Sequence, residues 1–139
     1  MDLKLIHELT QQQITDLHNL YQSEWWAKGR MLEDVRKMVE HSDEIIAYCD
    51  PETDRLVAFS RVITDYVYKA LILDVIVAKE FRNQNLGRKL MDSICNHPPL
   101  KSVRHRELFC LPELIPFYQK WGFSEEVDGI RLLRKTNLP

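Results

Sequence analysis

The residues with the most informative chemistry lie where an apolar segment runs into a polar loop and then a helix. The segment 70–78 is apolar except at Asp74, and a helix is predicted to begin near Leu86. The first backbone N–H groups of a helix lack internal partners and carry the positive end of its dipole. With Arg82 and Arg88 beside them, they predict an anion site suited to a diphosphate. An ordinary solvated connection between strand and helix is the alternative.

The composition of the loop excludes two other phosphate-binding motifs. Its one glycine is Gly87, whereas a dinucleotide-binding fingerprint needs three glycines and a Walker loop needs a second glycine and a Lys-Ser/Thr pair. Asn83 and Asn85 tolerate the left-handed backbone conformation better than most residues, so a tight loop can form without further glycine.

The whole-chain composition narrows the class of protein. The 139 residues predict a single domain, 1–139, and the net charge of -2 argues against nucleic acid as the main partner. The three cysteines form no CxxC pair and the five histidines show no paired ligand spacing, so no metal site is predicted. No apolar run reaches the roughly 18 residues of a membrane helix, so we expect a soluble cytoplasmic protein without a membrane partner.

The order of elements predicts an α/β (α+β) fold around a mixed, mostly antiparallel sheet. A short strand at the start is followed by two amphipathic helices, and Thr10 is the expected start of the first. Asp128-Gly129 predicts a hairpin turn at the end. The full predicted order is strand, two helices, three strands, helix, strand, helix and a terminal hairpin with strands at 123–127 and 130–133.

Two stretches resemble the signatures of the GNAT superfamily of N-acetyltransferases. Residues 77–90 resemble its acyl-CoA signature, Arg/Gln-x-x-Gly-x-Gly/Ala, and residues 117–123 resemble its second signature, a short helix with a tyrosine that ends in Gly-Phe. The chain departs from the pattern at Asn85, where a glycine is usual, and at Leu111, where an asparagine is frequent. The resemblance implies a GNAT-like sheet of about seven strands flanked by four helices, and an acetyl-CoA-dependent N-acetyltransferase.

The resemblance also implies which residues bind acetyl-CoA. The thioester would lie between two central parallel strands that splay apart after Val77 and Leu111. A strand N–H near Ile76 would then stabilise the negative charge that develops on the thioester oxygen. Backbone groups of Val75, Ile76 and Val77 would pair with the pantetheine arm, and the diphosphate would be wrapped by Arg82, Asn83, Gln84, Asn85, Leu86, Gly87 and Arg88.

The candidate catalytic residues each have a structural alternative. Tyr118 is the candidate acid that protonates the departing thiolate, although its helical spacing also suits a core aromatic residue. Asp74 is the candidate base, because burial without a cation partner would raise its pKa, and its alternative is an ion pair or hydrogen bond to the first two helices. Glu24, Asp65 and a water chain are the rival bases.

The acceptor is expected to be a primary amine of a small molecule or peptide, bound near Glu24, Trp25 and Asp65. Its identity does not follow from the sequence. A catalytically degenerate module that binds acyl-CoA for regulation is the alternative function. A homodimer is left open, because dimers are the commonest soluble oligomers.

Overall fold

The computed structural model describes residues 2–137, and these form two compact units that divide between Phe109 and Cys110. The strands of the first unit are β1 (Lys4–Ile6), β2 (Glu44–Ile45), β3 (Ala47–Cys49), β4 (Leu56–Thr64), β5 (Lys69–Val77) and β6 (His105–Leu108). Its helices are α1 (Gln11–Gln22), α2 (Leu32–Glu40) and α3 (Leu86–Cys95), and the second unit contains α4 (Ile115–Gln119). The predicted α/β class and the four helices are confirmed.

The six strands form one mixed sheet in the order β1-β3-β4-β5-β6, with β2 paired to β4. Every pair is antiparallel except β5 with β6, which is parallel and runs from Lys69–His105 to Ile72–Leu108. The predicted mostly antiparallel sheet is therefore confirmed. A parallel pair needs a crossover, and the chain between β5 and β6 supplies it with α3.

The helices cover opposite faces of the sheet. Helices α1 and α2 bury a cluster that includes Leu17 and Tyr21 against the strand residues Ala47 and Phe59. The next residue along β3, Tyr48, points the other way, and its hydroxyl lies 2.5 Å from Ser93 Oγ of α3. The period-two alternation of the strands thus gives each face its own set of buried side chains.

Local sequence explains where the helices begin. Thr10 caps α1 with a reciprocal pair of hydrogen bonds, because its hydroxyl accepts from Gln13 N–H at 3.1 Å and the Gln13 side chain accepts from Thr10 N–H at 3.0 Å. Helix α3 begins after Asn85, whose φ of 62° lies in the left-handed region. Asn83 shares that conformation with a φ of 64°, as its residue type predicts.

The predicted terminal hairpin is wrong in its strands and right in its turn. Asp128 and Gly129 both have positive φ, and Ile130 N–H donates to the Val127 carbonyl at 3.1 Å. No strand occurs between residue 109 and residue 137, which removes two predicted strands. One of the three strands predicted after the first two helices is divided into β2 and β3, so the sheet has six strands instead of about seven. A two-residue turn forms from local preferences, whereas a strand needs a paired and buried neighbour, and Leu133 is 92% exposed.

Candidate active site

The open edge of β5 is the first feature of the site. Strand β5 continues to Val77, five residues beyond its last pair with β6 at Ile72. Ala78 N–H donates to the Val57 carbonyl of β4 at 2.8 Å. Because neighbouring residues of a strand direct their backbone groups to alternate sides, both groups of Val77 point away from β4. Val77 therefore offers one N–H and one C=O at an edge that has no strand partner among residues 2–137.

Backbone direction distinguishes the residues that were predicted to pair with pantetheine. Ile76 is the partner of Phe59 in the antiparallel ladder, so its backbone groups face β4 by the same alternation. The Val77 carbonyl is already engaged, since Arg82 Nε donates to it at 3.1 Å. A ligand strand laid along this edge would meet Val77 and would have to displace Arg82 from the carbonyl.

The loop between β5 and α3 forms a cradle of free backbone donors. Within residues 2–137, no acceptor is seen for the backbone N–H groups of the six consecutive residues 83–88. Asn83 and Asn85 are left-handed while α3 is right-handed, an arrangement that turns successive N–H groups toward one place and binds anions. The charged side chains of Arg82 and Arg88 are exposed beside it. The residues present therefore fit a diphosphate.

Two open grooves of about 320 Å³ each flank α3 on the side of β1. The first is lined by residues of the loop and of α3, including Asn85, Leu86 and Arg88, and by Leu3. The first groove shares Gln84, Asn85, Leu86 and Arg88 with the loop that is predicted to wrap the diphosphate, whereas no residue of that loop lines the second groove.

Asp74 lies in a network of positive charge. It occupies a bulge of β5, because the ladder steps two residues on β4, from Phe59 to Arg61, and three on β5, from Ile76 to Leu73. Its Oδ2 accepts from Tyr21 Oη at 2.9 Å, Arg30 Nη1 at 2.9 Å and Arg61 Nε at 2.8 Å.

This network lowers the pKa of Asp74, whereas a carboxylate that acts as a base near neutral pH needs a raised pKa. Burial would raise the pKa of Asp74, but the hydrogen bonds and charges of Arg61 and Arg30 outweigh burial and hold it below its usual value. A carboxylate with a lowered pKa is a poor proton acceptor near neutral pH. The contacts favour the ion-pair alternative over the catalytic one.

We expect Asp74→Asn to lower the free energy of unfolding at pH 7 by about 3 kcal/mol, because it leaves two arginines of the network without their carboxylate. Since folding lowers this pKa, the stabilisation is complete above the ordinary value of 3.8 and is lost as the pH falls through the lower folded value. Urea unfolding of both proteins at pH 7 and pH 3 measures the effect. The difference between them should shrink at pH 3, and a pH-independent difference would contradict the assignment. The exposed Asp2→Asn is the matched control.

The structure brings Glu24 to the cofactor loop. Arg82 Nη2 lies 2.5 Å from Glu24 Oε1, and the side chain of Glu24 is 18% exposed. Arg82 therefore joins three predicted parts of the site: the linker between α1 and α2, the end of β5 and the loop. Trp25, next to Glu24, is 74% exposed and free to contact a ligand.

Asp65 lies at the other end of β5. It belongs to the β4–β5 turn, and its N–H donates to the Lys69 carbonyl at the first residue of β5. Val77 is eight residues further along, about 26 Å in an extended strand. Hydrogen bonds from the N–H groups of Val67, Lys69 and Tyr68 lower the pKa of Asp65. The structure does not bring Asp65 together with Glu24 and Trp25, and its carboxylate closes a turn.

Tyr118 lies in the second unit, on α4. Burial, with a smaller effect of Cys110, raises the pKa of Tyr118 to about 12, so its hydroxyl stays protonated at neutral pH. The hydroxyl has no hydrogen-bond partner within residues 2–137, and no buried side-chain N or O atom among these residues lacks one. The hydroxyl must therefore reach solvent, where a ligand can accept its proton.

A family model described as an acetyltransferase (GNAT) domain matches residues 40–125, more than half of the chain. The chain belongs to the GNAT acetyltransferase family. The predicted family and the N-acetyltransferase class are confirmed at this level.

Individual relatives agree with the family assignment. An N-acetyltransferase of Porphyra purpurea named ycf52 is 33% identical over 84% of this chain and 67% of its own length. Serotonin N-acetyltransferase 2, chloroplastic, of Oryza sativa is 32% identical over 73% of this chain and 52% of its own length. The chain thus spans about half to two thirds of these GNAT relatives.

A solved structure shows the same fold. A crystal structure from Xanthomonas campestris, assigned to the GNAT family, superposes with a TM-score of 0.85 at 26% identity, covering 99% of this chain and 94% of that one. Among residues 2–137, no group of three His, Cys, Asp or Glu side chains is placed to hold a metal ion. In the same range, no helix has the length and apolarity to span a bilayer.

Proposed function

We propose that this GNAT domain transfers the acetyl group of acetyl-CoA directly to a primary amine, without a covalent enzyme intermediate. The observation that carries the proposal is the run of unpaired backbone N–H groups at residues 83–88, beside a strand edge that is open at Val77. Together they supply donors for a diphosphate and a backbone partner for an extended arm.

Acetyl-CoA supplies the thioester in this reaction. The amine arrives as an ammonium and gives up one proton before attack. Its nitrogen then forms a C–N bond to the carbonyl carbon, the C–S bond breaks, the nitrogen loses a second proton and the thiolate gains one. We infer that the outward N–H of Val77 donates to the carbonyl oxygen as negative charge develops there. This role was expected near Ile76, and the direction of the backbone moves it by one residue.

Tyr118 is the proposed proton donor to the thiolate. Thiols have a pKa of about 8.5, so a phenol can protonate a thiolate as it departs only if it is held protonated and close. The hydroxyl has no internal partner in residues 2–137, which supports this role. The pKa of about 12 keeps the phenol protonated but makes it a weaker acid than the thiol, so proton transfer depends on close contact with the departing thiolate.

Glu24 is the proposed acceptor of the amine proton. Its carboxylate pairs with Arg82, whose guanidinium would turn to the diphosphate when the cofactor binds. That movement frees the Val77 carbonyl for the arm of the cofactor and frees Glu24 for the protonated amine. The two steps are coupled through one side chain.

We expect Glu24→Gln to lower kcat at least tenfold, because an amide cannot take up the proton. The Kd for acetyl-CoA should stay the same or fall, since Arg82 no longer has to leave an ion pair to meet the diphosphate. Steady-state kinetics and calorimetric titration measure the two quantities, with the exposed Glu52→Gln as the control. Weaker acetyl-CoA binding would show that the ion pair instead positions Arg82 for the cofactor.

The acceptor is proposed to be a small-molecule or peptide amine that contacts Trp25. The rice relative is named for an aromatic amine, serotonin, and the exposed Trp25 offers a surface for such a ring. A cytoplasmic location and a homodimer stay predictions from the sequence.

Thiol release with acetyl-CoA and a broad panel of amines tests the function. Release that depends on the amine, with stoichiometric N-acetylated product by mass spectrometry, is the expected result. The alternative is a regulatory module that binds acyl-CoA, and Asn85 in place of the usual glycine is the feature that favours it. Acetyl-CoA binding without amine-dependent release would establish that alternative.

A further inference from the structure

The network around Asp74 contains more positive than negative charge. Arg30 Nη1 and Arg61 Nε both donate to a single oxygen, Asp74 Oδ2, so two guanidinium groups face one carboxylate. Tyr21 adds a third donor to that oxygen but no charge, because burial and Asp74 raise its pKa and keep the phenol neutral. The network therefore has an excess of one positive charge.

The arginines also keep unused donors. The side chain of Arg61 is 14% exposed, and its two Nη atoms make no hydrogen bond to any residue within 2–137. Since every buried side-chain N or O atom in that range has a partner, these nitrogens must reach solvent. Arg30 is 32% exposed and uses only Nη1 in its contact with Asp74. A mostly buried guanidinium with an open outer edge is a rigid, bidentate anion binder.

The network lies beside the proposed reaction centre. Arg61 is two residues from Phe59 on β4, so it faces the side of the sheet covered by α1 and α2. Arg30 ends the linker that begins near Glu24, and its guanidinium stacks over the Tyr21 ring at 4.6 Å from the centroid. Asp74 and Val77 are three residues apart on β5, about 10 Å at most. An anion held here is within reach of a molecule whose amine lies near Val77.

We propose that Arg30 and Arg61 bind an anionic group of the acceptor, so that the acceptor is a primary amine carrying a carboxylate or phosphate a few bonds from its nitrogen. This inference rests on the proposed acetyl transfer. Asp74 acts as a positioning residue, because its Oδ2 holds both guanidinium groups in one orientation with their free edges outward. Glu24 for the ammonium and the arginines for the anion would together select an amino acid or an amino phosphate.

The first experiment compares matched acceptors. One set is 4-aminobutyrate, 4-aminobutyramide and butylamine, and the other is 3-aminopropyl phosphate and 3-aminopropanol. A third set, an α-amino acid and the corresponding α-amino amide, tests a shorter distance between the amine and the anionic group. The anionic member of at least one set should have a kcat/KM at least tenfold higher than its neutral partner, as expected for a charge-assisted hydrogen bond. The set with the larger ratio of anionic to neutral kcat/KM shows whether the arginines prefer a carboxylate or a phosphate.

The second experiment uses variants of the network. Arg61→Gln should reduce the anionic preference at least tenfold, through KM, while the Kd for acetyl-CoA stays within twofold. Arg61→Lys keeps the charge and should restore part of the preference, which loss of folding would not do. Arg36→Gln removes an exposed guanidinium from α2 and is the matched control.

The outcomes separate the inference from the proposed function. If neutral and anionic acceptors react equally, or if Arg61→Gln slows all acceptors by the same factor, the network only ties the linker to the sheet and the inference is overturned. The acetyl transfer then still stands. If acetyl-CoA binds and no amine reacts, either in these experiments or in the broad panel, the proposed function fails and the inference fails with it. If only amines without an anionic group react, the inference alone is overturned.

Discussion

Gly87→Glu should abolish measurable acetyl-CoA binding, with a Kd at least a hundredfold higher than that of the wild-type protein. The added carboxylate would lie among the free N–H groups of residues 83–88, where the diphosphate is proposed to bind, and would repel it at short range. Calorimetric titration with acetyl-CoA or CoA measures the loss.

The same substitution should leave the fold intact, which separates binding from stability. Gly87 is the second residue of α3, where glycine is a poor helix former and a negative side chain favours the helix dipole. The melting temperature should therefore stay the same or rise. Gly87→Ala is the matched control, since it adds bulk without charge and should weaken binding less. Unaltered affinity in Gly87→Glu would mean that the diphosphate binds elsewhere.

Tyr118→Phe should lower kcat about 100-fold or more while the Kd for acetyl-CoA stays within twofold. The ring is buried and packs edge-to-face on Phe117 with centroids 5.1 Å apart, so phenylalanine preserves the packing. Only the hydroxyl is lost, and no residue within 2–137 accepts its proton. Stability should therefore change little.

Steady-state kinetics at several pH values measure this effect. The exposed Tyr68→Phe, 64% accessible in the wild-type protein, is the control for loss of a phenol elsewhere. A kcat for Tyr118→Phe that equals the wild-type value across the pH range would remove this residue from the mechanism and leave protonation of the thiolate to water.

The parts of the site that depend on neighbouring residues could be predicted from the sequence. The start of α3 near Leu86, the left-handed asparagines and the cap at Thr10 all follow from short-range rules about backbone sterics and unpaired N–H groups. The Asp-Gly turn at residues 128–129 likewise follows from the backbone preferences of the two residues themselves. The two family signatures are likewise continuous stretches of chain.

The parts that depend on distant residues could not be predicted. The partners of Asp74 come from Tyr21, Arg30 and Arg61, which lie 53, 44 and 13 residues away in the sequence. The pairing of Glu24 with Arg82 joins residues 58 apart. A signal for the network existed in the sequence, since a lone carboxylate in an apolar strand needs a cation, but several arginines could have supplied it.

By itself the sequence determined the family, the four helices and the left-handed asparagines of the loop before α3, because each follows from patterns within a few residues. The tertiary structure alone decided the partners of Asp74, the displacement of Asp65 to the far end of β5 and the outward direction of the Val77 backbone. The physical reason is that strand register and bulges set which groups face each other, and register depends on pairing across the sheet. Charge and hydrogen bonding at the site are consequences of that pairing.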